Sequence, residues 1–194
     1  MSKNFPPVIG LYSPREQSGK STVLRRLETA IFAPAGKTMV NIKISAPLKQ
    51  PLYDLGLTED EVEGDLKEVP NAKLGGLSPR QVMINAYKNG AEKDGPDWLA
   101  KQAARKILQA VMAGQIVVVD DVRTPEDYAM VRLFAGAEVW RLFRPKKAQN
   151  AGADIGDSGN IEGMLENKFF QLRIDNTGTL DDLYRQIDNY YRLR

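Results

Sequence analysis

Val8-Ile9-Gly10-Leu11-Tyr12-Ser13-Pro14-Arg15-Glu16-Gln17-Ser18-Gly19-Lys20-Ser21-Thr22 reads as a short buried strand, a polar loop and the first turn of a helix. Val8 to Leu11 is a continuous apolar run, and the Pro6-Pro7 pair before it must lie outside any central ladder. Val23, Leu24, Leu27 and Ile31 follow at spacings of one, three and four, which predicts a helix over residues 20–31. Between strand and helix, Ser18-Gly19-Lys20-Ser21-Thr22 has the form of a phosphate-binding loop. In such a loop the backbone N–H groups wrap phosphates, the lysine reaches the β/γ oxygens and the serine binds magnesium. The positive end of the helix dipole adds to the same anion site. The full pattern, G-x-x-x-x-G-K-[ST], asks for glycine at position 14, where this chain has Pro14, a residue that fixes φ and removes a donor. The plainer alternative is a capped helix start after a turn.

Working outward, strands and helices alternate. Thr38 to Ile44 reads as a second strand. Asp97 caps a helix running to about Met112, with Ala104, Ile107, Leu108 and Val111 as its apolar stripe and Gly114 at its stop. Ile116-Val117-Val118-Val119 reads as a strand covered on both faces. Thr124-Pro125-Glu126-Asp127 starts a helix ending near Gly136. Glu138 to Phe143 and Phe169 to Ile174 read as further strands, and Thr179 with Asp182 opens a last helix. The expected fold is therefore α/β: a mostly parallel sheet flanked by helices, of the P-loop NTPase type, with ligands beyond the carboxyl ends of the strands. One domain is expected over residues 1–194, with a core of 1–46 and 98–194. Residues 47–97, acidic and broken by Gly and Pro, read as a helical insert. Residues 144–165, rich in Gly, Asp, Asn and Ala, read as a lid loop.

Composition narrows the chemistry. The 194 residues are 42% hydrophobic and carry 27 Lys+Arg against 25 Asp+Glu, with no histidine and no cysteine. Disulfides, Cys/His zinc sites, cysteine nucleophiles and Ser-His-Asp arrangements are excluded at once. Acid–base work falls to Asp, Glu, Lys, Arg or Tyr, and any metal is a hard cation with oxygen ligands. Charge is patchy: basic in the first fifty residues, acidic in the next fifty, then basic and again acidic. That pattern predicts local basic sites and no stable nucleic-acid complex. No signal-like or membrane-length apolar run is present, so the expected setting is the cytoplasm, away from membranes.

Polar signals fall where this fold needs them, just after strands. Val118-Val119-Asp120-Asp121-Val122-Arg123 ends a buried strand in two acids, a Walker B-like arrangement in which one carboxylate orients magnesium. Alone, the pair would more plainly be a strand ending; beside Lys20 it reads as a site. Arg141-Leu142-Phe143-Arg144-Pro145-Lys146-Lys147 leads from a strand into the lid, and Arg144 suits charge stabilisation on a transferring phosphate. Leu77-Ser78-Pro79-Arg80-Gln81 puts one arginine among acids, by default a solvated ion-pair partner. Trp98 is by default a core residue.

The order of these segments resembles the phage-type deoxynucleoside monophosphate kinases. It comprises the phosphate loop, Ala46-Pro47-Leu48-Lys49, Ser78-Pro79-Arg80-Gln81, Asp97-Trp98, Val119-Asp120-Asp121-Val122-Arg123 with Glu126, and Arg144-Pro145. The closing Ile174-Asp175-Asn176-Thr177-Gly178-Thr179-Leu180-Asp181-Asp182-Leu183 is similar to their ending. The resemblance implies a P-loop kinase core, with ATP as donor, magnesium and a deoxynucleoside monophosphate acceptor, and is compatible with a homodimer. It implies donor contacts from Arg15, Gln17, Ser18, Gly19, Lys20, Ser21 and Thr22. Catalysis falls to Lys20, Asp121, Arg123 and Arg144, and the metal to Ser21 and Asp121. The acceptor falls to Arg80, Lys49, Trp98 and Asp120. Pro14 and the absence of any histidine after Arg144 depart from the family pattern.

Two other readings stay open. One is a P-loop switch or ATPase. Against it, Asn167-Lys168 is followed by Phe169-Phe170, so the guanine-reading N/T-K-x-D element is absent, and Asp175-Asn176-Thr177-Gly178 lies too late for a switch. The other is a kinase whose acceptor is a hydroxyl, for example on a modified base in DNA, where Asp120 or Asp121 would serve as base.

Overall fold

The computed structural model describes residues 5–13, 18–144 and 169–193. Its five strands are β1 (Val8–Tyr12), β2 (Met39–Asn41), β3 (Ile116–Val122), β4 (Glu138–Phe143) and β5 (Leu172–Asp175). They form one sheet in the order β2-β3-β1-β4-β5, and every neighbouring pair is parallel. With helices between the strands, this is the α/β architecture of the P-loop NTPase type. All five carboxyl ends share one edge. The connection from β1 leads toward the β2 side and that from β4 toward the β5 side, so the topological switch falls beside β1.

The chain divides into two compact units, Met1–Lys43 with Ala103–Arg194, and Ile44–Gln102. In the first, α1 (Lys20–Arg26) follows β1, α6 (Pro125–Arg132) follows β3 and α7 (Leu180–Arg192) closes the chain. Its core packs Ile9, Leu11, Val118, Trp140, Leu142 and Ile174 from the strands against Val23 from α1, Leu27 just beyond it, and Leu183 and Ile187 from α7. β1 is buried at every position, as its unbroken apolar run requires. Arg26 and Asp188 add an ion pair between α1 and α7.

Three expectations shift. The helix expected over residues 20–31 becomes α-helical only to Arg26, then π-helical over Leu27–Phe32. The wider winding lets Leu27 and Phe32, five apart, both be fully buried. β2 is shorter than Thr38 to Ile44; the flanking Thr38, accepting the Ile116 N–H at 2.9 Å, and Ile42, donating to the Val118 carbonyl at 3.0 Å, extend its ladder with β3. β5 starts at Leu172, because Phe169 and Phe170 are engaged elsewhere. The Phe169 carbonyl accepts the Tyr128 hydroxyl at 3.0 Å, and the Phe170 ring stacks on Tyr12 at 5.5 Å.

The second unit is helical. It holds α2 (Ala46–Asp54), α3 (Glu59–Val62), α4 (Pro79–Asp94) and the beginning of α5 (Trp98–Met112). Leu52, Leu57 and Val62 form its small core, flanked by Tyr53, Leu74, Val82 and Met83. Reciprocal capping boxes, Thr58 with Glu61 and Ser78 with Gln81, start α3 and α4. Trp98 lies so close to α4 that a Cβ on Gly90 would come within 2.4 Å of the indole. Among the described residues, no helix is long and apolar enough to cross a membrane.

Candidate functional site

At the exit of β1 the chain reaches Ser18, which is buried, and Gly19, which caps α1 with φ at 101°. A left-handed residue before a helix turns the chain so that the first N–H groups of α1 face outward, the geometry that receives an anion. A side chain at position 19 is excluded twice over: by φ, and because a Cβ would stand 2.5 Å from Nδ2 of Asn176. Lys20 and Ser21 are the first two residues of α1, half-buried and exposed respectively, and Thr22 follows. Pro14, Arg15 and Gln17 lie outside the described residues, as do Lys146, Lys147 and nearly all of the expected lid.

The acids of β3 sit at an irregularity. Gly10 pairs with Val119 but Tyr12 pairs with Val122, so β3 spends an extra residue opposite Leu11, at Asp120 and Asp121. A bulge of this kind re-aims side chains beside functional sites. The two acids then face different surroundings. Asp120 feels Lys43 and Lys20 and accepts a hydrogen bond from the Asn41 amide; burial, with Asp121 adjoining, still pushes its carboxyl above the usual range. Asp121 acts on Asp127, which closes the capping box of α6 with Thr124 and whose carboxyl is pushed up to about 6, mainly by burial. Asp127 accepts the backbone N–H groups of Arg123 and Thr124, both at 3.0 Å. Those bonds favour its charged form, but burial outweighs them.

A buried polar atom without a partner calls for an explanation, and at a strand exit a ligand is one. In this unit they include Ser18 Oγ, Asn41 Oδ1 and Asp120 Oδ1, at the exits of β1, β2 and β3. Asn41 and Lys43 escaped the sequence reading. Their signal was position alone: they follow an apolar strand, as Ser18 and Asp120 do. Arg123 and Arg144 are exposed at the exits of β3 and β4, so Lys20, Asp120, Asp121, Arg123 and Arg144 all lie along one sheet edge.

The second unit holds the other expected residues. Arg80, in the first turn of α4, pairs with Glu68 at 3.1 Å. Lys49, on α2, pairs with Glu63 at 3.1 Å. Trp98 is half-buried, with its Nε1 buried and without a hydrogen-bond partner. Its ring is already occupied against Gly90, as a packing residue's would be.

No protein-family model matches the chain, and no curated protein matches it. Solved structures do resemble it. Shikimate kinase from Acinetobacter baumannii, in complex with shikimate, is 14% identical at TM-score 0.45, over 98% of this chain and 95% of that one. Dephospho-CoA kinase from Campylobacter jejuni is 13% identical at TM-score 0.48, over 96% of each chain. Cobyrinic acid a,c-diamide synthase from Mycobacterium smegmatis, with bound ATP analogue and magnesium, is 15% identical at TM-score 0.40, over 94% of this chain and 81% of that one. At such identities and TM-scores none of them decides this chain's chemistry, which rests on the site itself.

Proposed function

We propose that this chain is a nucleotide kinase that transfers the γ-phosphate of ATP to a deoxynucleoside monophosphate. The observation that carries the reading is that the left-handed Gly19 turn into α1 and the Asp120–Asp121 irregularity of the neighbouring β3 lie at one sheet edge. A lysine at the start of a helix is matched there by an acid at the end of the neighbouring strand, and both Ser18 Oγ and Asp120 Oδ1 await partners.

Magnesium fits this donor set. The available ligands are hard oxygens, and among the described residues no cluster of three acids would hold a cation unaided, so phosphate oxygens would supply most of its shell. Ser21 and one of the two acids would hold it, and when bound it would neutralise charge on the transferring phosphate. The rest falls to the chain itself. The N–H groups of the first turn of α1 and the Lys20 ammonium hold the donor phosphates, and Arg123 and Arg144 offer guanidinium charge along the same edge. A phosphate acceptor needs no strong base, which suits a chain without histidine.

Acceptor binding falls to the helical unit. Arg80 exchanges Glu68 for the acceptor phosphate, since a guanidinium grips two phosphate oxygens at once. Steady-state kinetics varying acceptor and ATP separately test this. Arg80→Ala should lower acceptor kcat/KM by roughly 30- to 1000-fold, Arg80→Lys by less, with KM for ATP nearly unchanged. Unchanged acceptor kcat/KM in Arg80→Ala would remove the clamp.

One observation favours a second reading, a hydroxyl acceptor: a half-buried Asp120 with a raised affinity for protons is suited to take one from an alcohol. A panel of mononucleotides, together with DNA carrying hydroxylated bases, separates the two. Diphosphate products support the first reading and phosphorylated DNA the second. ATP hydrolysis with no acceptor labelled refutes both.

A further inference from the structure

The turn between β5 and α7 is held more firmly than its length requires. The Asp175 N–H donates to Gln186 Oε1 at 2.9 Å, and Gln186 Nε2 returns a bond to the Asp175 carbonyl at 2.9 Å. Thr179 and Asp182 close a capping box four residues on. From this frame Asn176 reaches two other elements. Its backbone N–H donates to the Phe143 carbonyl at 2.8 Å, at the end of β4 and one residue before Arg144. Its side-chain Nδ2 donates to the Ser18 carbonyl at 2.8 Å, across 158 residues of sequence. The same nitrogen fills the space that a Cβ on Gly19 would take.

The consequence follows from the planarity of the peptide bond. The Ser18 carbonyl and the Gly19 N–H belong to one trans peptide and point in opposite directions. Holding the carbonyl toward Asn176 therefore holds the Gly19 N–H away from it. Without that bond the peptide is free to rotate, and an anion at the start of α1 would meet a carbonyl in place of a donor. We infer that Asn176 is a positioning residue of the phosphate site: its amide locks the Ser18–Gly19 peptide in the anion-receiving orientation, while its backbone ties the same turn to the β4 exit that carries Arg144. The inference rests on reading the Ser18–Thr22 segment as a nucleotide-phosphate site.

Asn176→Ala removes the donor, and Asn176→Asp keeps the size but sets a carboxylate against the Ser18 carbonyl. Each is compared with Lys20→Ala and the parent by calorimetric titration with ADP, by thermal unfolding without nucleotide, and by KM for ATP and acceptor. The expected result is an ADP Kd raised about tenfold in Asn176→Ala and further in Asn176→Asp. KM for ATP should rise in parallel, with acceptor KM unchanged and Tm within a few degrees of the parent. Parental ADP affinity in both variants overturns the inference. So does weakening that appears only with a Tm fall of more than about 10 °C, the mark of a merely structural role. If Lys20→Ala weakens ADP while the Asn176 variants do not, only this inference fails. If Lys20→Ala leaves ADP affinity intact, the phosphate-site reading fails and the inference with it.

Discussion

Glu138 starts β4 at the amino edge of the sheet, and Asp120 lies at the carboxyl edge of β3, two strands away. Both carboxyl groups are withdrawn from water, and their surroundings differ in kind. Glu138, 5% exposed, accepts Trp140 Nε1 at 2.8 Å and the Tyr190 hydroxyl at 2.7 Å. Neutral donors from two aromatic residues satisfy it, and nothing about it asks for a ligand. Asp120 keeps one buried oxygen without a partner and lies in the field of two lysines. An unsatisfied buried polar group is costly, so the open oxygen of Asp120 calls for an explanation that Glu138 does not need. On the proposed reading, the sheet is stabilised at one edge and binds its ligand at the other.

Lys20→Ala tests the poised edge most severely. A residue whose charge acts on phosphates contributes little packing, so turnover should fall by at least about a thousandfold while Tm stays near the parent value. Activity and stability lost in equal measure would make Lys20 structural and dissolve the contrast.

Exchanging each acid of β3 for its amide sharpens the contrast within one edge. The orphaned Asp120 Oδ1 favours Asp120 as the acid serving the phosphates, whereas the family resemblance favours Asp121. Asp120→Asn should cost turnover about a hundredfold and more than Asp121→Asn, with stability unchanged or improved, because it removes a charge that burial disfavours. Magnesium titrations of both variants check the ranking; a larger loss in Asp121→Asn would reverse it.

Glu138→Ala probes the other edge. Two bonds to a buried carboxyl group are lost and the Trp140 and Tyr190 donors are left without it, so unfolding free energy should drop by about 3–5 kcal/mol in denaturant titrations. Turnover per folded molecule should hold. Lost activity at preserved stability would show that this edge is functional as well.

The two edges also differ in how far the sequence revealed them. β4 runs over Glu138–Phe143 as its apolar pattern requires, and α7 begins at the Thr179–Asp182 box. These features are local, and local chemistry is legible in a chain. The Gly19–Lys20 turn into α1 was legible for the same reason. Asn41, Lys43 and Asn176 were not, since each gains meaning only beside a residue far away in sequence, such as Asp120 or Ser18. The π-helical turn was hidden likewise, because its winding answers to the packing of Leu27 and Phe32 inside the folded core. Arg80 stands between these cases: its ion pair with Glu68 matches the default for an arginine among acids, while its proposed role depends on an acceptor that only kinetics will reveal.

The smallest expected effect belongs to Asp127, which shares features of both edges. Like Glu138 it is buried and bonded, accepting two backbone N–H groups; like Asp120 its charge is disfavoured, and its pKa rises from 3.8 to about 6. A folded-state pKa above the unfolded value means that the native state holds its proton longer. The associated stability is complete below about pH 4 and is lost as pH rises through 6. At about 1.4 kcal/mol per pKa unit, the loss amounts to no more than about 3 kcal/mol. Asp127→Asn keeps an acceptor for the cap but does not titrate, so the difference in unfolding free energy between parent and variant isolates this group. Between pH 4 and pH 6.5 the parent should lose ground to Asp127→Asn by up to that amount, as read by denaturant midpoints at matched ionic strength. A constant difference across the range would mean that the two N–H bonds outweigh burial, and that Asp127 belongs with Glu138 as a satisfied structural carboxylate.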